Sequence, residues 1–358
     1  MISYLLNKIF YAILTLVGVV TVIFLLFTVL PGDPAKMMLG QNQTAEQVKA
    51  VKKKYGFDKT LSTQYFHYLN DLSPLSFHST NAEDYTFLEA NKYSAAKLFT
   101  IGNTATVIKF PYLRASFAKQ GKKVTQVIGE TLPNTFVLAV SAIIIAMILG
   151  LIFGVISALK KDTWIDRSIQ VFSTLGMSVP SFFSAILFAW LFGFVLHKYT
   201  NLEMTGSLYE LDDFGERVSI KWKNLILPAI VLGIRPLAVI IQLMRNSLLE
   251  VMNQDYIRTA RAKGLSEFQI IKNHAIKNAL NPVVTAISGW FASMLAGAVF
   301  VEYIFGWNGL GKEIVNALNT LDLPVIMGSV LVIATSFIII NILVDIIYAM
   351  LDPRVKLS

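Results

Sequence analysis

Residues 131–159 read TLPNTFVLAVSAIIIAMILGLIFGVISAL, without one charged side chain. A helix needs ~20 residues to cross the hydrocarbon core of a bilayer, so this stretch is long enough to span one. Comparable uncharged runs occupy 9–30, 168–196, 278–301 and 323–344, and 224–244 is interrupted only by Arg235. Six spans are therefore expected, in an all-α polytopic membrane protein. The composition agrees: of 358 residues, 54% are apolar and 15% charged, with mean hydropathy +0.58, whereas a soluble domain carries about 25% charged residues. Lys8 before the run 9–30 imitates a signal peptide. Its length exceeds the ~7–15 residues of a signal core and no small-residue cleavage site follows, so an uncleaved anchor is expected.

The absence of cysteine excludes disulfides, thiolate metal sites and cysteine nucleophiles. Four scattered histidines (His67, His78, His197, His274) form no evident catalytic or metal cluster. The net charge of +8 does not point to nucleic acid, because the basic residues form no stripe interleaved with aromatics. They orient loops instead. Lys8, the loop with Lys160, Lys161 and Arg167, the segment from Arg245 to Lys277 and the tail with Arg354 and Lys356 fall on one side of six spans. The opposite short loops hold fewer, namely Lys198, Arg217, Lys221, Lys223 and Lys312. The richer side is expected to be cytoplasmic, with both termini there. Four parts follow: an anchor (1–30), an external loop subdomain (31–129), a five-helix core (130–350) and a cytoplasmic tail (351–358).

Pro133, Pro180, Pro228, Pro236 and Pro282 punctuate the spans, and membrane helices tolerate proline without hinging. Gly150 and Gly154 have the spacing that lets helices approach closely, in ordinary packing or against a partner helix.

The cytoplasmic segment 245–282 reads as two short helices. Asn253 is placed to cap a helix over 254–263 that Gly264 ends in a left-handed conformation. Ser266-Glu267-Phe268-Gln269 is a capping-box pattern that opens a second helix toward Asn278. Its apolar residues recur at helical spacing, which suits lipid headgroups or a partner's groove equally.

The run Asp255-Tyr256-Ile257-Arg258-Thr259-Ala260-Arg261-Ala262-Lys263-Gly264, followed by His274-Ala275-Ile276-Lys277-Asn278-Ala279-Leu280-Asn281-Pro282, resembles the coupling loop of importer permeases in the ATP-binding-cassette superfamily. It is most similar to the dipeptide/oligopeptide/nickel family, where Arg258 and Thr259 replace the first two positions of the general E-A-A-x-x-x-G pattern. Leu30-Pro31-Gly32-Asp33-Pro34, Tyr55-Gly56-Phe57-Asp58, Gly297 to Glu302, Gly309-Leu310-Gly311 and the ending Asp345 and Asp352-Pro353-Arg354 resemble the first (B-type) permease subunit of that family. Extra length near 79–110 and Asn308, where the family often has proline, are departures.

The resemblance implies a type I importer fold and a pore-forming subunit for peptides, with nickel chelates or other small solutes as the alternative. Its partners would be a second, similar permease subunit, two ATPase subunits or domains that hold ATP and Mg, and an external substrate-binding protein. No catalytic residue, metal or cofactor is expected on this chain, and lipid surrounds it. Arg258, Ala260, Gly264, Ser266, Glu267, Phe268, Ile271 and His274 would form the contact with the ATPase. Proline at 264 or 267 would then uncouple transport while leaving insertion intact.

Three features remain. Gly306 to Lys312 satisfies most of a phosphate-binding loop, but Glu313 replaces the metal-binding hydroxyl and a span precedes it rather than a strand, which argues against nucleotide. The segment 31–129, aromatic and carrying thirteen basic against seven acidic residues, is expected to fold as a cap, either as a docking surface or as packing for its own spans. Arg235 must face a cavity or a partner, because lipid exposure costs ~2.5–3.5 kcal/mol or more. A peptide carboxylate, a sister-subunit acid, Glu302 or Asp345 could meet it. A secondary transporter acting alone would show an inverted repeat and paired intramembrane acids, and neither is evident.

Overall fold

The computed structural model describes residues 2–29, 33–39, 43–82, 84–89, 92–119, 121–211 and 217–351. The motif positions 30–32 and 352–354, and the tail beyond 351, lie outside these. In chain order the elements are α1 (Ile2–Val29), α2 (Pro34–Leu39), α3 (Ala45–Tyr55), α4 (Leu61–Leu72), β1 (Leu75–Ser79), β2 (Ala95–Ile101), β3 (Thr104–Lys109) and α5 (Val124–Leu159). After them come α6 (Trp164–Ser178), α7 (Ser181–Trp190), a π turn (Leu191–Val195), α8 (His197–Thr200), β4 (Tyr209–Leu211), β5 (Val218–Ile220) and α9 (Lys223–Met252). The chain continues with α10 (Asp255–Ala262), α11 (Glu267–Ile270), a second π turn (Ile271–Ala275), α12 (Ile276–Gly297), α13 (Val299–Phe305), α14 (Leu310–Asn319) and α15 (Leu323–Leu351).

Among the described residues four helices are long and apolar enough to cross a membrane: 7–26 of α1, α5, α9 and 323–346 of α15. Two bent pairs bring the total to six if each is one span. The run 168–196 is therefore not a straight helix. It breaks at Val179-Pro180, where the two halves diverge by 108°. Pro180 cannot donate to the preceding turn, and its ring pushes Val179 out of the helical region, to φ −79° and ψ 131°. Pro133, Pro228, Pro236 and Pro282 lie inside continuous helices.

The chain groups into two compact units, 1–8 with 131–313 and 335–358, and 9–130 with 314–334. In the first, Leu138, Ala142, Leu232, Leu295, Phe305 and Trp307 belong to one buried cluster, and a second gathers around Ile240, Met244, Leu248 and Ile257. Gly150 and Gly154 face this second cluster. A Cβ on Gly150 would lie 2.5 Å from Ile240, and one on Gly154 2.6 Å from Met244. The small-residue pair thus serves close packing of α5 on α9 within this chain.

In the second unit, Val20, Ile23, Tyr68 and Met327 form a small buried cluster. The unit also holds a three-stranded antiparallel sheet of order β1-β3-β2 that helical patterning gave no sign of. Helices α3 and α4 precede this sheet in the chain. Thr44 closes a capping box over α3, and Thr60 caps α4.

Candidate functional site

The segment 253–282 folds by local rules and then packs by its buried stripe. Ser266 caps α11, accepting the Gln269 amide at 3.4 Å, while the Gln269 side chain accepts the Ser266 amide at 3.1 Å. Gly264 takes φ +79°, a conformation costly for any residue with a Cβ. Asn253 does not cap α10. It ends α9, its side chain donating to the Leu249 carbonyl, and Gln254 stands at the start of α10 without a capping bond. A second correction concerns the second helix, which is not a separate short element. It runs from Glu267 through the π turn into α12, so segment and fifth span form one rod up to Leu295.

The buried side of this rod sits on α9. Its Ile270, Ala275 and Ala279, with Ile257 and Ala260 of α10, join the cluster with Met244 and Leu248. Ala260 is thus an anchor rather than a contact residue, and Ile271 is half-buried. Arg258, Gly264, Ser266, Glu267, Phe268 and His274 are exposed. Phe268 is 72% exposed, with Lys272 Nζ 5.9 Å from its ring centroid. The ring stands outside the packed segment, and Lys263, Lys272 and Lys277 of the same stretch are also exposed. Arg261 reaches over the Gly264 turn to Glu267, with Nε to Oε1 at 2.7 Å and Nη2 to Oε2 at 3.4 Å. The pair is exposed, so it fixes the angle between α10 and α11 more than it adds stability.

Sequence reasoning missed the clamp next to this surface. Asp166, 3% exposed, accepts Arg245 Nε at 2.8 Å and Nη2 at 2.7 Å, the Ser157 hydroxyl at 2.5 Å and the Asp162 amide at 3.0 Å. This bidentate pair locks α6 to α9. Its signal was an acid in a basic loop and an arginine ending a span on the same side.

Arg235 lines a cleft of about 100 Å³ with Ser181, Ser184, Trp290 and Ser293, beside the break at Pro180. Among the described residues it has no ion-pair partner. Two acids that could have met it are engaged elsewhere. Asp345 pairs with Lys8, and Glu302 is fully buried and accepts the amides of Gly311 at 2.7 Å and Lys312 at 3.1 Å. Glu302 also explains the phosphate-loop imitation. The amides that would cradle a phosphate already serve a carboxylate, and Trp307, fully buried, donates its indole N–H to the Asn134 carbonyl.

Comparison with known proteins gives consistent results. The family described as "Binding-protein-dependent transport system inner membrane component" matches residues 150–357, and its N-terminal companion family matches residues 1–82. The dipeptide transport system permease protein DppB of Alkalihalophilus pseudofirmus is 32% identical, with 99% of this chain and all of that protein covered. The di/tripeptide transport system permease protein DppB of Pseudomonas aeruginosa is also 32% identical, over 99% of both chains. An inward-facing structure of the MetNI methionine ABC transporter aligns with a TM-score of 0.52 at 15% identity, covering 64% of this chain and 98% of that one. At that identity the likeness is one of fold.

Proposed function

Because the chain belongs to the family of binding-protein-dependent transport system inner membrane components, we propose that it is the pore-forming permease subunit of an ATP-driven peptide importer. Two whole-length relatives named for dipeptides and di/tripeptides support the solute class. The observation that carries the mechanism is the rod from Glu267 to Leu295, exposed at Phe268 and continuous with the fifth span. A groove on a cytoplasmic ATPase would take Phe268 with Lys272 beside it. Closure of two ATPase subunits around ATP and Mg would then push the rod along with its span, without a flexible joint to absorb the movement. Alternating access follows if this chain and a second, similar permease subunit form the pathway between them, fed by an external substrate-binding protein.

In this reading the chain performs no catalysis and holds no cofactor. Both termini and the segment 245–282 face the cytoplasm, while 31–129 lies outside as a cap. Arg235 is assigned to the pathway, because its cleft is open and its two candidate acids within the chain are occupied.

Purified with its operon partners, the wild-type chain should bring down ATPase subunits, and Gly264→Pro should abolish uptake of labelled dipeptide at unchanged membrane abundance. Proline cannot adopt φ +79°. Proline at 267 is a weaker test than its position in sequence suggests. Glu267 directly follows the Ser266 cap, where a helix accepts proline. Normal uptake by Gly264→Pro would overturn the coupling role.

A further inference from the structure

Within the second unit, residues between 54 and 117 enclose a cavity of about 60 Å³, room for one small group, whose wall is unbalanced in charge. Among the described lining residues the single carboxylate is Asp71, 8% exposed, and it is used within the wall. Its Oδ1 accepts the Tyr93 hydroxyl at 3.0 Å, and its Oδ2 accepts Arg114 Nε at 2.9 Å. Against this one anion stand Lys54, Lys92 and Arg114 in the wall. Lys109 lies behind it, 5% exposed, its ammonium donating to the backbone carbonyls of Asp71 and Ser73.

Lys92 is the informative member. Its Nζ lies 4.8 Å from the Tyr93 ring centroid and 5.7 Å from that of Tyr112, and among the described residues no oxygen accepts from it. Burial lowers its affinity for the proton, as it does for Lys109. The Tyr85 hydroxyl, on the same wall, is buried without a hydrogen-bond partner among the described residues. A half-buried cation without an acceptor and a buried donor without a partner are costly unless something satisfies them, and the same cavity holds both.

We propose that this cavity binds a carboxylate, held by Lys92, the Arg114 guanidinium nitrogens not used by Asp71, and the Tyr85 hydroxyl. A planar two-oxygen acceptor matches the forked guanidinium, while the ammonium supplies the charge. The site itself is independent of the transport reading. Only the source of the carboxylate rests on it: a free peptide terminus, or an acidic side chain reaching in from the docked substrate-binding protein.

The test uses the full-length chain in lipid nanodiscs, with thermal unfolding followed as sodium acetate replaces chloride at constant ionic strength. The wild-type midpoint should rise saturably. Tyr85→Phe removes only an unbonded hydroxyl, so its midpoint without acetate should be unchanged while half-saturation needs about tenfold more acetate, one charge-assisted hydrogen bond. Lys92→Met should lose the response. Absence of a saturable rise, an identical response in both variants, or phosphate acting as well as acetate would overturn the proposal. Dialanine and its C-terminal amide then separate the sources. A response to dialanine alone assigns a peptide terminus; a response to acetate but not dialanine assigns an acidic side chain of a docked protein. Either result stands whatever Gly264→Pro does to uptake.

Discussion

Asp166 in the first unit and Asp71 in the second are both buried aspartates, yet their surroundings add up differently. Asp166 meets one guanidinium through two hydrogen bonds, with a hydroxyl and an amide filling its remaining acceptor positions. One guanidinium answers one carboxylate, and each carboxylate oxygen takes two hydrogen bonds. Asp71 meets Arg114 and the Tyr93 hydroxyl, but Lys92 and Lys109 stand nearby and the Tyr85 hydroxyl has no hydrogen-bond partner among the described residues. A closed set of partners describes a structural clamp. An open set, with positive charge and a spare donor around a cavity, suits an anion. Glu302 shows a third solution, a carboxylate met by the first amides of α14.

The comparison breaks most readily when one cation is removed from each set. Arg245→Met leaves the Asp166 carboxylate buried without its counter-ion and should cost about 3–5 kcal/mol of unfolding free energy. Lys92→Met removes a cation that meets two rings but no acceptor oxygen among the described residues, so in acetate-free buffer it should cost no more than about 1 kcal/mol. Denaturant titration of both variants in the same lipid checks this. Equal losses would mean that Lys92 has a structural partner and that the two sets do not differ in kind.

Glu302→Gln sharpens the third case. The amide keeps the volume of the acid, and its one oxygen can take both backbone amides that now meet on Oε2, but it puts a buried NH2 donor where Oε1 has no partner among the described residues, at a cost of about 1–3 kcal/mol. Faster proteolysis at 306–312 should accompany the loss. No change in either measurement would show that the turn is held by the Trp307 indole and the Thr135 hydroxyl alone.

How far the sequence predicts these features depends on how local their causes are. The spans follow from uncharged runs, and the Ser266 box follows from four consecutive residues. Both are causes contained within a short window. The break at Pro180 was not legible, because four other prolines in similar runs leave their helices continuous and only the extended Val179 distinguishes this one. Asn253 misled because a residue that favours one helix start can equally end the helix before it. The β2–β3 hairpin had a signal, the two-residue turn Gly102-Asn103 between apolar runs. It was masked by a strand β2 that is almost entirely exposed and so shows no alternation. Asp166 and Arg245 lie 79 positions apart and Asp71 and Arg114 lie 43 apart, pairings that only the tertiary fold reveals.

The smallest expected effect is one of pH, and it belongs to the open set alone. His67 and His78 both line the cavity, and burial holds each below its ordinary value of 6.5. The charged groups that bear on them are Asp71, which favours the proton, and Arg114 at His67 with Lys92 and Lys109 at His78, which oppose it. Below 6.5 the unfolded chain binds protons that the folded unit takes up less readily. Stability is therefore complete above that value and declines as pH falls through it toward the lower folded values. Proteolysis within 75–117 should accelerate between pH 7.5 and 5, and His67→Phe, which keeps a ring against Tyr85, should remove part of that slope. A carboxylate in the cavity reverses the local sign, since it favours protonated histidine. Acetate should thus flatten the slope in the wild type and leave it unchanged in Lys92→Met. A slope that acetate does not touch in either protein would place the anion away from these histidines and would restore Asp71 to the same closed kind as Asp166.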